Sequence, residues 1–182
     1  NFKITSALGQ VNNVVLEGNE MEFIGSDGND TITVKGNDST IQAKEGDDRI
    51  IVIGERNTVS GGAGSNTLEI AAKNITFQSS EFDKFVALKS EGTLSFEGND
   101  SAIFEIAGKS YEIKNLSADI ENLNFYYNDA NNTITFEGNN FEIKSNSGQA
   151  NKVILQGDGI EFWGAEEDDR VTLRGSNAKI YG

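Results

Sequence analysis

Apolar and polar residues alternate in short runs along this chain, and the runs recur at a fixed distance. Val14-x-Leu16-x-Gly18 is followed by Ile32-x-Val34-x-Gly36 and Ile50-x-Val52-x-Gly54, so the leading position climbs in equal steps, and Leu68-x-Ile70 continues the series. The same step returns near the end, where it separates Val153-x-Leu155-x-Gly157 from Val171-x-Leu173-x-Gly175. Ile134-x-Phe136-x-Gly138 comes before them with one residue inserted. Period-2 alternation marks a half-buried strand. A second apolar position closes each unit: Phe23, Ile41, Val59, Phe77, Phe162 and Ile180. Gly, Asn and Asp fall between the runs, where the backbone needs a tight turn. Each unit therefore reads as strand, turn, strand, turn. Like positions then stack about 4.8 Å apart, the distance between paired strands.

This pattern predicts an all-β fold, a parallel β-solenoid with coils of about 18 residues. About ten coils at strand spacing would make a rod roughly 45–50 Å long. The chain reads as one domain over residues 1–182, with regular coils at 13–77 and 133–182. Residues 78–132 break the period, although Leu94-x-Phe96-x-Gly98 keeps the signature. Within this stretch Ser79–Leu88 resembles Ser117–Tyr126 in pattern, a second and longer repeat. Both segments are expected to be coils of altered length, with a helical turn near Phe82 capped by the pair Ser80 and Asp83.

Composition narrows the chemistry. The 182 residues include no His, Cys or Pro. That excludes Ser–His–Asp and Cys nucleophile machinery and zinc-finger ligand sets. Missing Pro suits stacked strands, each of which must offer its N–H to the next coil. Fifteen basic against 29 acidic residues give a formal charge of −14. Such a surface repels nucleic acid and anionic membranes, and no apolar run is long enough to span a bilayer. The chain opens Asn1-Phe2-Lys3 without a Met or a leader-like apolar run, so it is expected to be a segment of a longer protein.

The turns carry the one constellation with a mechanism. Gly25-Ser26-Asp27-Gly28-Asn29-Asp30-Thr31-Ile32 and Gly61-Gly62-Ala63-Gly64-Ser65-Asn66-Thr67-Leu68 follow the pattern G-G-x-G-x-D-x-U-x closely. Ala43–Ile50 and Gly164–Val171 follow it in part. These segments resemble the haemolysin-type nonapeptide repeat of the RTX family, a Ca²⁺-binding parallel β-roll of secreted bacterial proteins. The resemblance implies Ca²⁺ as a cofactor, held between stacked turns that each supply a carboxylate and carbonyls. Carried over position by position, it implicates Asp27, Asn29, Asp30, Glu45, Asp47, Asp48 and Asn66, with Asp168 and Asp169 in the later patch. The chain departs from the pattern where Asn66 replaces Asp and Glu167 replaces Gly, and the alternate nonamer Lys35–Ile41 is no Ca²⁺ turn.

Outside the turns, period-2 counting sends Phe125 and Tyr127 inward and Tyr126 outward, and places Trp163 outward beside the inward Phe162. Tyr126 and Trp163 are thus candidate ligand-facing aromatics, suited to stacking on a carbohydrate ring. Ile51, Ile53 and Ile154 also count outward and are expected to be covered. Arg49 and Arg170 each follow an Asp-Asp pair and read as charge compensation rather than catalysis. The expectation is a non-enzymatic, secreted or cell-surface module, adhesive or surface-layer-like. Its expected partners are other copies or flanking domains of the same protein and cell-surface carbohydrate. The rival is a polysaccharide-processing β-helix or the passenger of an RTX-type toxin.

Overall fold

In the computed structural model, residues 2–72, 75–146, 148 and 151–182 are described. Chain contacts group into two units, residues 1–89 and 90–182. The first contains β1 (Phe2–Thr5), β2 (Asn13–Leu16), β3 (Met21–Ile24), β4 (Thr31–Val34), β5 (Thr40–Gln42), β6 (Arg49–Val52), β7 (Thr58–Ser60), β8 (Thr67–Ile70), β9 (Thr76–Phe77) and β10 (Lys84–Ala87). Odd strands form one parallel sheet and even strands another. The chain alternates between the two, which is the parallel solenoid that the repeat predicts. Val14, Ile32, Ile50 and Leu68 pair in register, as do Leu16, Val34, Val52 and Ile70.

The alternation places Ile32, Val34, Ile41, Ile50, Val52 and Leu68 inside with no exposed surface, and their stacked burial is the main stabilising term. Glycine at the turn column is a packing requirement. A Cβ on Gly36 would lie 1.8 Å from the carbonyl oxygen of Gly18 in the coil before, and one on Gly54 2.0 Å from that of Gly36. Only a residue without Cβ lets consecutive turns approach this closely.

Period is kept further than the sequence suggests. Phe85 pairs with Leu68, so β10 is a regular parallel strand that arrives one residue early. Phe77, Phe82 and Phe85 cluster edge-on and tilted, with ring centroids 5.2–6.1 Å apart, and fill the end of this core. The helical turn before Phe82 is present as a short 3₁₀ segment, Ser79–Glu81. Its N-cap position is Gln78, without a side-chain cap, so Ser80 and Asp83 do not cap it.

The second unit contains β11 (Glu91–Phe96), β12 (Ser101–Ile106), β13 (Lys109–Asn115), β14 (Glu121–Asn128), β15 (Thr133–Glu137), β16 (Phe141–Ser145), β17 (Lys152–Gln156), β18 (Glu161–Trp163), β19 (Arg170–Arg174) and β20 (Lys179–Tyr181). Here the structure corrects the reading of the middle as altered parallel coils. β12 and β13 form an antiparallel hairpin, and β14 runs antiparallel to both β11 and β15. The chain winds forward through β11 and β12, backward through β13 and β14, then forward again from β15. Two-residue turn geometry reverses it at Ala107 (φ 50°) and Gly108 (φ 75°), the mirror-image turn that matches strand twist. Parallel pairing resumes with Ile134 on Val153 and Val153 on Val171. The longer repeat is therefore one of pattern: Phe85 lies in a parallel pair and Leu123 in an antiparallel one.

Candidate functional site

Each coil leaves backbone N–H groups at its turns, where no strand ladder can take them, and stacked side chains satisfy these donors. Asp30, Asp48 and Asn66 directly precede β4, β6 and β8. Their main-chain carbonyls accept from Arg49, Thr67 and Lys84, one coil on. Their side chains reach back one coil: Asp30 Oδ1 accepts from the Asn12 N–H (2.8 Å), Asp48 Oδ1 from the Asp30 N–H (2.7 Å) and Asn66 Oδ1 from the Asp48 N–H (2.9 Å). All three lie inside, at most 2% exposed. Asn29 and Asp47 form a second, exposed column of opposite sense, accepting from the Asp47 and Ser65 N–H groups at 2.9 Å. Two interlocked ladders thus hold this edge of the first unit.

Asp27 and Glu45 are exposed at the same edge, and Glu45 bridges to Ala63. Within the second unit Asp168 is exposed, while Asp169 repeats the inner ladder. Its Oδ1 accepts from the N–H and the side-chain amide of Asn151, each at 2.9 Å, and its Oδ2 from the Ala165 N–H at 2.9 Å. The structure brings Asp30, Asp48 and Asn66 into one column as expected, and the Oδ1 of each meets a backbone donor, while Asp48 Oδ2 is buried without a partner. Both oxygens of Asp30 accept, Oδ2 from the Ser26 N–H at 3.2 Å. Among the described residues no group of three or more carboxylates converges as a cation cage would require.

Sequence reasoning missed the matching column at the other edge. Asn57 is fully buried; its Oδ1 accepts from the Ser39 N–H (2.8 Å), and its amide donates to the carbonyls of Gly54 (2.8 Å) and Gly36 (3.0 Å). The signal was available, because Ser39-Thr40-Ile41 and Asn57-Thr58-Val59 repeat at the common step in the same ladder-residue-before-strand arrangement as Asp48-Arg49-Ile50. Asn115 is likewise fully buried and holds the turn from β13 to β14. Its amide donates to the Asp119 carbonyl (2.9 Å) and its Oδ1 accepts from the Ser117 N–H (2.9 Å).

On the outer faces, β14 points Asn122, Asn124 and Tyr126 to solvent and Leu123 and Phe125 inward. Facing strands set Ser95 opposite Asn122, Thr93 opposite Asn124, and Glu91 and Thr135 opposite Tyr126. The Ser95 and Thr93 hydroxyls donate to the side-chain oxygens of Asn122 and Asn124 at 2.6 Å, which fixes both exposed amides on the β11 side. Tyr126 is 48% exposed. Trp163 lies on the other sheet of the unit, stacked on Tyr181 with ring centroids 3.9 Å apart. The two aromatics thus do not share a face. Arg49 grips Glu69 of β8 with two bonds (2.5 and 2.9 Å) rather than its own Asp-Asp pair. Ile53 is left 44% exposed, so it is not covered, while Ile51 and Ile154 are half-buried.

No family model, curated protein or solved structure matches the chain. No helix among the described residues is long and apolar enough to cross a membrane.

Proposed function

We propose that this chain is a structural, adhesive solenoid module of an exported cell-surface protein, and that it holds uncharged glycan on the outer face of β11, β14 and β15. The observation that carries this reading is the outward row Asn122, Asn124, Tyr126. It sets two exposed amides beside an exposed aromatic ring. A flat row of amide donors and a ring suits the hydroxyls and apolar faces of a sugar chain. The row itself carries no charge, on a chain of formal charge −14, and this favours a neutral partner over a polyanion. Stacked coils with backbone bonds repeated at every turn give such a row a rigid backing, and this suits binding through many weak contacts along a polymer.

The test is retention of the purified chain on immobilised neutral polysaccharides. Tyr126→Ala is expected to weaken retention about tenfold, the usual effect of removing an aromatic anchor. Trp163→Ala, on the other sheet, is expected to leave it unchanged. Equal retention of the wild type and Tyr126→Ala on every polymer that binds would remove this face from the reading.

A further inference from the structure

Bases are scarce on this chain, 15 against 29 acids, and four of them reach across one coil to an acid. Lys3 binds Glu22, Lys35 binds Glu17, Arg56 binds Asp38 and Lys179 binds Glu161, at 2.5–2.8 Å. The coil repeat brings each of these pairs together. β17 and β19 break the habit. Lys152 lies directly opposite Arg170 in their parallel register, so a cation faces a cation. Like charges directly opposite on a sheet are destabilising.

Nothing on that face offsets the pair. β17 turns Lys152, Ile154 and Gln156 outward, and β19 turns Arg170, Thr172 and Arg174 outward; none of these positions is an acid. Glu137, opposite Gln156 on β15, accepts from the Gln156 amide at 3.3 Å. The Asp168-Asp169 pair just before Arg170 does not serve it, because Asp169 accepts from the Asn151 and Ala165 N–H groups. Lys152, Arg170 and Arg174 are all exposed. Among the described residues no carboxylate lies within ion-pair distance of any of the three. Arg49 and Arg56, by contrast, each grip a carboxylate with two bonds. The Lys152 ammonium donates to the Asn131 carbonyl at 3.3 Å and has two further donors, and a guanidinium has five.

We infer that the outer face of β17 and β19 is an anion site, and that its ligand is an acidic sugar unit whose carboxylate or sulfate ester lies between Lys152 and Arg170. Neighbouring strands stand about 4.8 Å apart, a gap that an oxyanion bridges by accepting from the ammonium on one side and the guanidinium on the other. The bound anion supplies the acid that the coil stack lacks at this one place. That the anion is borne on a sugar rests on the glycan reading; the anion site itself does not. Tyr126, Thr135, Ile154 and Thr172 form one register column on this same face, one outward position along from the cation pair. β14 and β17 are two strand spacings apart, about 10 Å, so a sugar chain seated on Tyr126 runs on to Lys152. The formal charge of −14 repels a ligand charged along its whole length. Acidic peptide runs are thereby disfavoured, and the matching polymer carries its acidic units sparsely among neutral ones.

The experiment measures retention of the purified chain on immobilised glucuronoxylan, a neutral polymer with sparse uronate branches, and on the same polymer with its carboxyl groups reduced to alcohols. Lightly sulfated dextran beside plain dextran is the ester arm. Wild type is expected to bind at least one charged polymer about tenfold more tightly than its uncharged counterpart, a difference that sodium chloride removes. The double variant Lys152→Gln, Arg170→Gln is expected to lose this difference and keep its retention on the uncharged form, whereas Tyr126→Ala weakens both forms alike. Urea unfolding is expected to find the double variant at least as stable as wild type, since a repulsion has gone. Wild type that binds charged and uncharged forms equally, or a double variant that keeps the preference, overturns the inference. Retention on no polymer defeats the glycan reading alone, and amide NMR with sodium glucuronate and sodium sulfate then decides the anion site. Shifts centred on Lys152 and Arg170 and absent from the double variant are expected; no shifts, or shifts spread over all exposed bases, overturn it. Tighter binding of a poly-glutamate peptide than of either charged polymer would assign the face to an acidic protein, and overturns the sugar.

Discussion

At the residue scale, Asn57 shows how much of a coil rests on one amide. Its three hydrogen bonds serve the Ser39 N–H and the carbonyls of Gly36 and Gly54, all inside the turn. Asn57→Ala leaves each of these without its partner, and a stranded buried polar group costs about 1–3 kcal/mol. The expected loss is about 3–5 kcal/mol in urea unfolding, a large share of the stability of a domain this size. A loss below about 1 kcal/mol would mean that water takes over these contacts. Ladder residues were half legible in the sequence: Asp30, Asp48 and Asn66 stand out in Gly-rich turns. Asn57 stands in Gly54-Glu55-Arg56-Asn57, where only the repeat step from Ser39 points to it. Nothing in the letters distinguishes Asp30, with both oxygens satisfied, from Asp48, with one bare. That depends on the backbone at Ser26 and Lys44.

At the element scale, the parallel strands followed directly from the pattern, because one face of each strand must repeat its apolar positions for coils to stack. The reversal at β12–β13 did not. Its strands alternate as the others do, and period-2 alternation is blind to direction. Only the turn Ala107-Gly108 hints at a hairpin, and alanine is a poor advertisement for a residue at φ 50°. The same mismatch yields a prediction. Ala107→Asn is expected to stabilise the chain by about 0.5–1 kcal/mol, because Asn tolerates the left-handed region far better than Ala. A scan of melting temperature for this variant checks it, and a fall in melting temperature would deny that this turn is strained. The early arrival of Phe85 was equally hidden, since a one-residue deletion in the turn leaves the strand's own alternation intact.

At the scale of the whole molecule, the charge of −14 sets the response to solution conditions. The ion pairs that bind neighbouring coils, such as Lys35–Glu17 and Arg56–Asp38 at 2.7 and 2.8 Å, are solvent-exposed and each contributes little. Repulsion among the surplus carboxylates is the larger effect, and salt screens it over about 10 Å at 0.1 M. Raising sodium chloride is therefore expected to raise the melting temperature, which differential scanning calorimetry at fixed pH would report. A fall would mean that the exposed pairs outweigh the repulsion. Calcium chloride at matched ionic strength provides the companion measurement, since only a rise beyond that of sodium would support the metal that the RTX-like turns imply.

The amino-acid order by itself determined the stacking period and the residues that face inward, because burial of one strand face and the closeness of glycine turns are local demands repeated at every coil. It also marked Tyr126 and Trp163 as outward. Tertiary structure alone decided that those two rings lie on different sheets, that the chain winds backward between β12 and β15, and that the turn acids Asp30 and Asp48 look into the ladder. These are matters of peptide orientation and of which strand edge is met next, and identical side-chain patterns satisfy more than one answer.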